Sequence, residues 1–145
     1  SDRELEIMGI YQAGKLLFAI QNNIKITFAS KSEIRIDNGD TDFKSQQEIL
    51  NLAMFYLAGR AATRLVFGEV FYQSRDDLEE AKNIAKNILL KMSIGSVEVQ
   101  KVIEESEARL DNFFADKAGE LKKLSTVLSE DLHIDYSQIK EKDVL

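Results

Sequence analysis

The sequence predicts a mainly α-helical domain, a compact helical bundle with one small β element. Proline is absent from the 145 residues, so the chain lacks the residue that most strongly interrupts helices. Apolar residues recur at helical spacing over most of the chain and alternate only between Ile24 and Ile36. A content of 44% hydrophobic and 30% charged residues is typical of a globular protein, and this length suits one domain spanning residues 1–145.

The first predicted elements are a long helix and a short pair of strands. Ile10, Ala13, Leu17 and Ile20 recur at helical spacing, which predicts an amphipathic helix over residues 2–22. Segment 37–40, Asp-Asn-Gly-Asp, follows these strands and is predicted to form a turn, because Asn and Gly tolerate positive φ. The alternating residues that predict one or two strands are Ile24, Ile26, Phe28, Ile34 and Ile36.

A second helix is predicted from a capping box to a glycine. Ser45 and Glu48 have the spacing in which each side chain bonds to the other residue's backbone N–H. The helix then runs to about Phe67 and ends at Gly68. Its residues are apolar on nearly all sides, so we expect it to be the buried central element.

The remaining helices are predicted from apolar stripes. Ser74 is the expected cap of a third helix whose stripe runs from Leu78 to Met92. After Gly95 a long helical stretch is predicted, broken near Asp116, with its charged residues solvated. A last short helix is predicted after Asp135. The side chains of the long stretch that should face inward include Leu110, Phe113 and Leu121.

Charge and chain ends limit the partners. A net charge of −6 disfavours binding to a nucleic-acid backbone, so we expect no nucleic acid. The chain has no run of about 18 apolar residues, the length that a membrane span needs, and no signal peptide is visible. The chain begins at Ser1 without methionine, with a helix predicted to start at once. We therefore expect a fragment of a longer protein, with any membrane anchor or second domain upstream.

The first helix contains a segment with two possible interpretations. Residues 9–15, G-I-Y-Q-A-G-K, match the G-x-x-x-x-G-K part of a phosphate-binding loop. Leu16 replaces the hydroxyl residue that such loops need for magnesium, and a helix runs through the segment, so the match is interpreted as accidental. On a helix, Tyr11 and Lys15 share one face, with Gln12 beside them.

These residues resemble a zinc-binding helix. Residues 11–15, Y-Q-A-G-K, resemble the H-E-A-G-H helix of the FtsH family of ATP-dependent membrane zinc metalloproteases. Residues 57–70, L-A-G-R-A-A-T-R-L-V-F-G-E-V, resemble the family's L-x-G-R-x-A-E-x-L-x-F-G-E signature. Residues 74–81, S-R-D-D-L-E-E-A, are similar to its S-N-D-L-x-x-A-T segment, which supplies the third zinc ligand. The resemblance extends over residues 97–128 and 133–139, and so over the whole chain.

The resemblance implies a metal site whose residues are mostly replaced. It would put histidine ligands at Tyr11 and Lys15, the general-base glutamate at Gln12 and the aspartate ligand at Asp77. It would also put a supporting glutamate at Thr63. A catalytic zinc needs neutral imidazoles and a carboxylate that accepts the proton of its bound water. We therefore expect zinc binding and hydrolysis to be lost, with these positions vestigial.

Other metal sites are restricted by composition. The chain has no cysteine and one histidine, His133, which is interpreted as a solvated or packing residue. A magnesium or calcium site made by Asp76, Asp77 and Glu80 is conceivable. The favoured interpretation is that Ser74 and Asp77 cap their helix.

The leading hypothesis is a degenerate FtsH-like peptidase domain that acts as an oligomerisation or scaffold module of a membrane-anchored AAA+ protein. The family resemblance implies a hexamer with FtsH-like subunits, ATP bound upstream, and a position on the cytoplasmic or organelle-matrix side. Active relatives have a substrate-pairing edge strand that is expected to be shortened here, between Phe28 and Phe43. Two alternatives are an active metalloendopeptidase with a non-standard metal site, and an unrelated helical module whose first and third helices lie far apart.

Overall fold

A computed structural model describes residues 1–91 and 99–129 of the chain. Short 3₁₀ turns at Thr41–Phe43 and Tyr72–Ser74 precede the second and third helices. The predicted class, mainly α with one small β element, is confirmed. The elements are α1 (Asp2–Gln21), β1 (Lys25–Ala29), β2 (Ile34–Asp37), α2 (Gln46–Phe67), α3 (Arg75–Lys91), α4 (Val99–Phe114) and α5 (Ala118–Ser129).

Helix α2 is the central element, as predicted, and it contacts α1, α3, α4 and α5. Its capping box is complete: the Ser45 hydroxyl accepts from the Glu48 N–H at 3.1 Å, and the Glu48 carboxylate accepts from the Ser45 N–H at 3.3 Å. Gly68 ends the helix in the left-handed conformation, with φ at 75°, and its N–H donates to the carbonyl of Arg64.

Two glycines let α1 and α2 approach closely. A Cβ atom at Gly14 would lie 2.8 Å from the carbonyl oxygen of Ala58, and one at Gly59 would lie 2.8 Å from the ring of Tyr11. Both distances are shorter than carbon atoms tolerate, so a larger residue at either position would push the helices apart. This contact fixes the face of α1 that carries Tyr11 and Lys15.

The small sheet follows α1. Strands β1 and β2 pair antiparallel, from Lys25 opposite Asp37 to Ala29 opposite Ile34, with an irregularity between Ile26 and Phe28. The prediction of one or two short strands is confirmed, and two are present. The predicted turn also lies at the end of β2, where Gly39 adopts a φ of 62°.

The later helices agree with the predicted pattern, with one correction. Ser74 does not cap α3; its hydroxyl donates to the carbonyl of Phe71 at 2.9 Å, and α3 continues directly from the preceding 3₁₀ turn. The predicted break is confirmed between α4 and α5, where Leu110 and Leu121 are fully buried and Phe113 is half-buried.

Some expectations fall beyond the described residues. Met92, Gly95, His133 and the short helix predicted after Asp135 lie outside them. Within the described ranges, every helix is too short or too polar to cross a lipid bilayer.

Candidate functional site

The structure brings Tyr11 and Lys15 of α1 to Asp77 in the first turn of α3. The Tyr11 hydroxyl donates to Oδ2 of Asp77 at 2.6 Å, and Nζ of Lys15 donates to the same oxygen at 2.9 Å. The donors lie one helical turn apart, so a single face of α1 presents both to one carboxylate. These two hydrogen bonds join residues that are 62 and 66 positions apart in the sequence, and they hold α1 against α3.

The Lys15 ammonium is buried among aromatic rings. Its side chain is 8% exposed. Nζ lies 5.0 Å from the ring centroid of Phe55, 5.6 Å from that of Tyr56 and 5.9 Å from that of Tyr11. A cation over ring faces gains electrostatic attraction, and a carboxylate at hydrogen-bonding distance offsets much of the cost of removing the charge from water.

Burial keeps the phenol of Tyr11 protonated. Desolvation, and then the charge and hydrogen bond of Asp77, raise the pKa of Tyr11 far above its ordinary value. Burial, and then the charges of Glu80 and Asp77, also raise the pKa of Tyr56. Tyr11 therefore serves as a hydrogen-bond donor near neutral pH and does not offer a phenolate to a metal.

Replacing Tyr11 with phenylalanine is expected to cost about 1.5–3 kcal/mol of unfolding free energy near neutral pH, because a hydrogen bond to a charged group is lost. The cost should shrink above about pH 10, where the unfolded phenol ionises but the folded one retains its proton. The unfolded state then binds fewer protons, so the parent protein loses stability as the pH rises, and the Tyr11→Phe variant lacks this loss.

Urea unfolding of both proteins at neutral and alkaline pH measures this difference. A difference that stays constant across the alkaline range would contradict the protonated, buried phenol.

Gln12 lies beside this cluster but faces the strand connection. Its Nε2 donates to the carbonyl of Ser32 at 3.0 Å, and the side chain is 9% exposed. Within the described ranges, the buried Oε1 has no hydrogen-bond partner. An amide at this position can donate and accept hydrogen bonds, but it cannot take a proton from water as a carboxylate does.

Thr63 lies in α2 and is 1% exposed. Its hydroxyl donates to the carbonyls of Gly59 and Arg60 at 3.0 and 3.1 Å. The side chain is therefore bonded to the backbone of its own helix. Where the resemblance implied a glutamate supporting a metal ligand, the structure has a small residue that packs in the core.

The favoured expectation for Asp77, that it caps α3, is wrong. Its carboxylate does not cap α3, because Oδ2 is bonded to α1. Nor does it form a magnesium or calcium site with Asp76 and Glu80: within residues 1–91 and 99–129, no three carboxylate or imidazole side chains converge on a point that could hold a metal ion. The Asp76 side chain is 89% exposed and pairs with Arg75 at 3.3 Å.

The segment that matches a phosphate-binding loop is part of a buried helix. Residues 9–15 lie inside α1, as the helical interpretation predicted. All of them are buried, so this part of α1 does not have the solvent-facing side expected of an amphipathic helix. A Cβ atom at Gly9 would collide with the side chain of Ser125. The glycines thus serve helix packing.

Sequence reasoning missed the aromatic surroundings of Lys15. Phe55 and Tyr56 lie in the all-apolar α2, and a helix that is apolar on every side gives no signal for which face meets a cation. A groove of about 310 Å³ was also missed. It is lined by Asn38, Thr41, Asp42, Ile49, Leu52, Glu80, Ile84, Asn87, Ile88 and Lys91.

Two known proteins that are similar to this chain are ATP-dependent zinc metalloproteases. The chain is 29% identical over 109 residues, 70% of its length, to the ATP-dependent zinc metalloprotease FtsH of Mesoplasma florum. It is 36% identical over 64 residues, 44% of its length, to the FtsH protein of Pseudomonas putida. The matched regions span only 17% and 10% of those proteins. No protein-family model matches the chain.

Proposed function

We propose that this chain is a degenerate FtsH-like peptidase domain without proteolytic activity, which serves as a scaffold or oligomerisation module of an AAA+ protein. The observation that carries the proposal is the ion pair between Lys15 and Asp77, at 2.9 Å. The similarity to FtsH proteins supports the peptidase-related origin, since it covers most of the chain. The ion pair supports the loss of zinc.

The ammonium of Lys15 stands where a metal would need space and negative charge. If Asp77 is the third ligand position, then its Oδ2 already accepts two hydrogen bonds, from Tyr11 and Lys15. A Zn²⁺ ion bound to this oxygen would lie a few ångströms from a buried positive charge, where repulsion is strong because little water screens it. The lysine charge thus replaces the metal charge as the partner of Asp77.

The general-base position supports the same conclusion. A zinc hydrolase needs a carboxylate that takes the proton of the attacking water. Gln12 has a neutral amide, and its Nε2 is bonded to the Ser32 carbonyl. Binding of a metal alone would therefore not restore hydrolysis, because the attacking water would still lack a base.

The contacts that the chain retains support the scaffold role. Close packing at Gly14 and Gly59 keeps α1 against α2. The bonds from Tyr11 and Lys15 keep α1 against α3 without any metal. By analogy with its FtsH relatives, the domain would join a hexameric ring of identical or FtsH-like subunits. An ATPase module and a membrane anchor would lie elsewhere in the protein, with this domain on the cytoplasmic or organelle-matrix side.

The test is to load the purified chain with zinc, remove free metal, and measure bound zinc together with cleavage of unfolded casein. We expect less than stoichiometric zinc and no cleavage that a chelator abolishes. A matched control is the Lys15→Met variant, which removes the repelling charge and should bind zinc no more weakly than the parent. Stoichiometric zinc in the parent with chelator-sensitive cleavage would contradict the proposal and support an active enzyme with a non-standard metal site.

A further inference from the structure

The turn after β2 carries an asparagine followed by a glycine. Asn38 is exposed directly after the last residue of β2, and Gly39 adopts a φ of 62°. Glycine leaves its amide nitrogen sterically open because it has no Cβ. The other asparagines of the chain precede Asn, Ile, Leu or Phe, and none precedes glycine.

We propose that the folded protein undergoes intramolecular deamidation at Asn38, which leaves aspartate and isoaspartate at position 38. The residue that prepares the reaction is Asp37: its Oδ1 accepts a hydrogen bond from the Gly39 N–H at 2.9 Å. This nitrogen is the nucleophile, so a carboxylate is already bonded to the proton that must leave. The proton departs in the plane of the peptide, while the nitrogen's electron pair lies perpendicular to that plane.

The reaction balances with water as its only co-reactant. The nitrogen of Gly39 forms a bond to Cγ of Asn38, and the bond from Cγ to the side-chain amide nitrogen breaks. Ammonia leaves with the proton that the Gly39 nitrogen has lost, and a five-membered succinimide remains. Water then opens this ring at one of its two carbonyl carbons, which gives aspartate or isoaspartate.

The fold tolerates the product. The last paired residue of β2 is Asp37, so the additional backbone atom of isoaspartate lies beyond the strand pairing. Asn38 lines the groove of about 310 Å³ together with Asp42 and Glu80. Deamidation therefore adds a third carboxylate to this groove and leaves the core unchanged.

The experiment is to incubate the whole folded chain at mildly alkaline pH and follow each asparagine-containing peptide by mass spectrometry. Isoaspartate is detected with an isoaspartyl methyltransferase. We expect the amide-to-acid mass gain at position 38, ahead of every other asparagine, while circular dichroism stays constant. The same chain unfolded in urea gives the reference rate of deamidation at Asn38 in the absence of the folded turn.

Three variants separate the causes. Asn38→Gln should lose the product at position 38, and Gly39→Ala should slow it roughly tenfold, because a Cβ crowds the nitrogen and disfavours positive φ. Asp37→Asn should slow the reaction in the folded chain but not in urea. A folded chain that keeps Asn38 intact while the unfolded chain deamidates would overturn the proposal. Equal folded-state rates for Asp37→Asn and the parent would overturn the role of Asp37.

Discussion

Replacing Asp77 with alanine is expected to lower the free energy of unfolding by about 3–5 kcal/mol, the loss typical of removing one partner from a buried ion pair. The variant leaves the ammonium of Lys15 buried at 8% exposure without its carboxylate. It also removes the acceptor of the Tyr11 hydroxyl. The rings of Phe55 and Tyr56 remain near Nζ and offset part of the loss, so the lower end of the range is expected.

A neighbouring residue provides the control. The Asp76 side chain is 89% exposed and pairs only locally with Arg75, so Asp76→Ala should change stability by less than about 1 kcal/mol. Urea unfolding with circular dichroism measures both variants. A loss of only about 1 kcal/mol for Asp77→Ala, as for a helix cap, would contradict the bridge to α1.

A double-mutant cycle isolates the pair itself. Lys15→Met alone leaves the carboxylate of Asp77 bonded to Tyr11, and it should be less costly than Asp77→Ala because Asp77 is the more exposed partner, at 22%. Combining Lys15→Met with Asp77→Ala removes both charges, and it should recover much of the stability lost in Asp77→Ala. Strict additivity of the two single changes would show that the ammonium and the carboxylate do not interact.

The wrong expectation that Asp77 caps α3 shows which features the sequence can predict and which it cannot. The helices, the capping box at Ser45 and the end of α2 at Gly68 depend on residues within a few positions of each other, so local patterns determine them. The partners of Asp77 lie 62 and 66 residues away. A carboxylate in the first turn of a helix commonly caps that helix. Asp77 bonds to α1 instead, because α1 packs against α3.

The site positions themselves were predicted by resemblance, and their interactions were not. Tyr11, Lys15 and Asp77 were named from the family motif, and the structure brings the three together. Distant first and third helices would have favoured an unrelated helical module, whereas hydrogen bonds from Tyr11 and Lys15 to Asp77 join α1 to α3. The motif specifies which positions should meet, but a lysine in place of a histidine forms new contacts that no motif describes, including those with the rings of α2.

Restoring the metal-binding residue types is expected to restore zinc binding. The variant carries Tyr11→His, Gln12→Glu and Lys15→His, and it should change from little zinc to about one ion per chain, with Asp77 as the third ligand. Positions 11 and 15 already direct donors at one oxygen of Asp77, at 2.6 and 2.9 Å. Histidine is shorter than tyrosine or lysine, but a zinc ion adds two bonds of about 2.0–2.2 Å between the ring nitrogen and the carboxylate oxygen, which bridges the added gap.

Bound zinc should also stabilise the variant, because a metal that binds only the folded state, and not the unfolded state, raises the free energy of unfolding. Removing the Lys15 charge is essential to this result, so Tyr11→His with Gln12→Glu alone should bind zinc poorly. We expect no return of casein cleavage, because the resemblance predicts that the substrate-pairing edge strand between Phe28 and Phe43 is shortened.

The matched control places the same three changes in a chain that also carries Asp77→Ala. Zinc content by elemental analysis and the zinc-dependent shift in urea unfolding are compared between the two proteins. If Asp77 occupies a ligand position, only the chain that retains it should hold zinc tightly, because two histidines from one helix do not make a closed site. Equal zinc in both would mean that α1 and α3 do not have the geometry of a metal site, and the ion pair would then be a core contact unrelated to zinc.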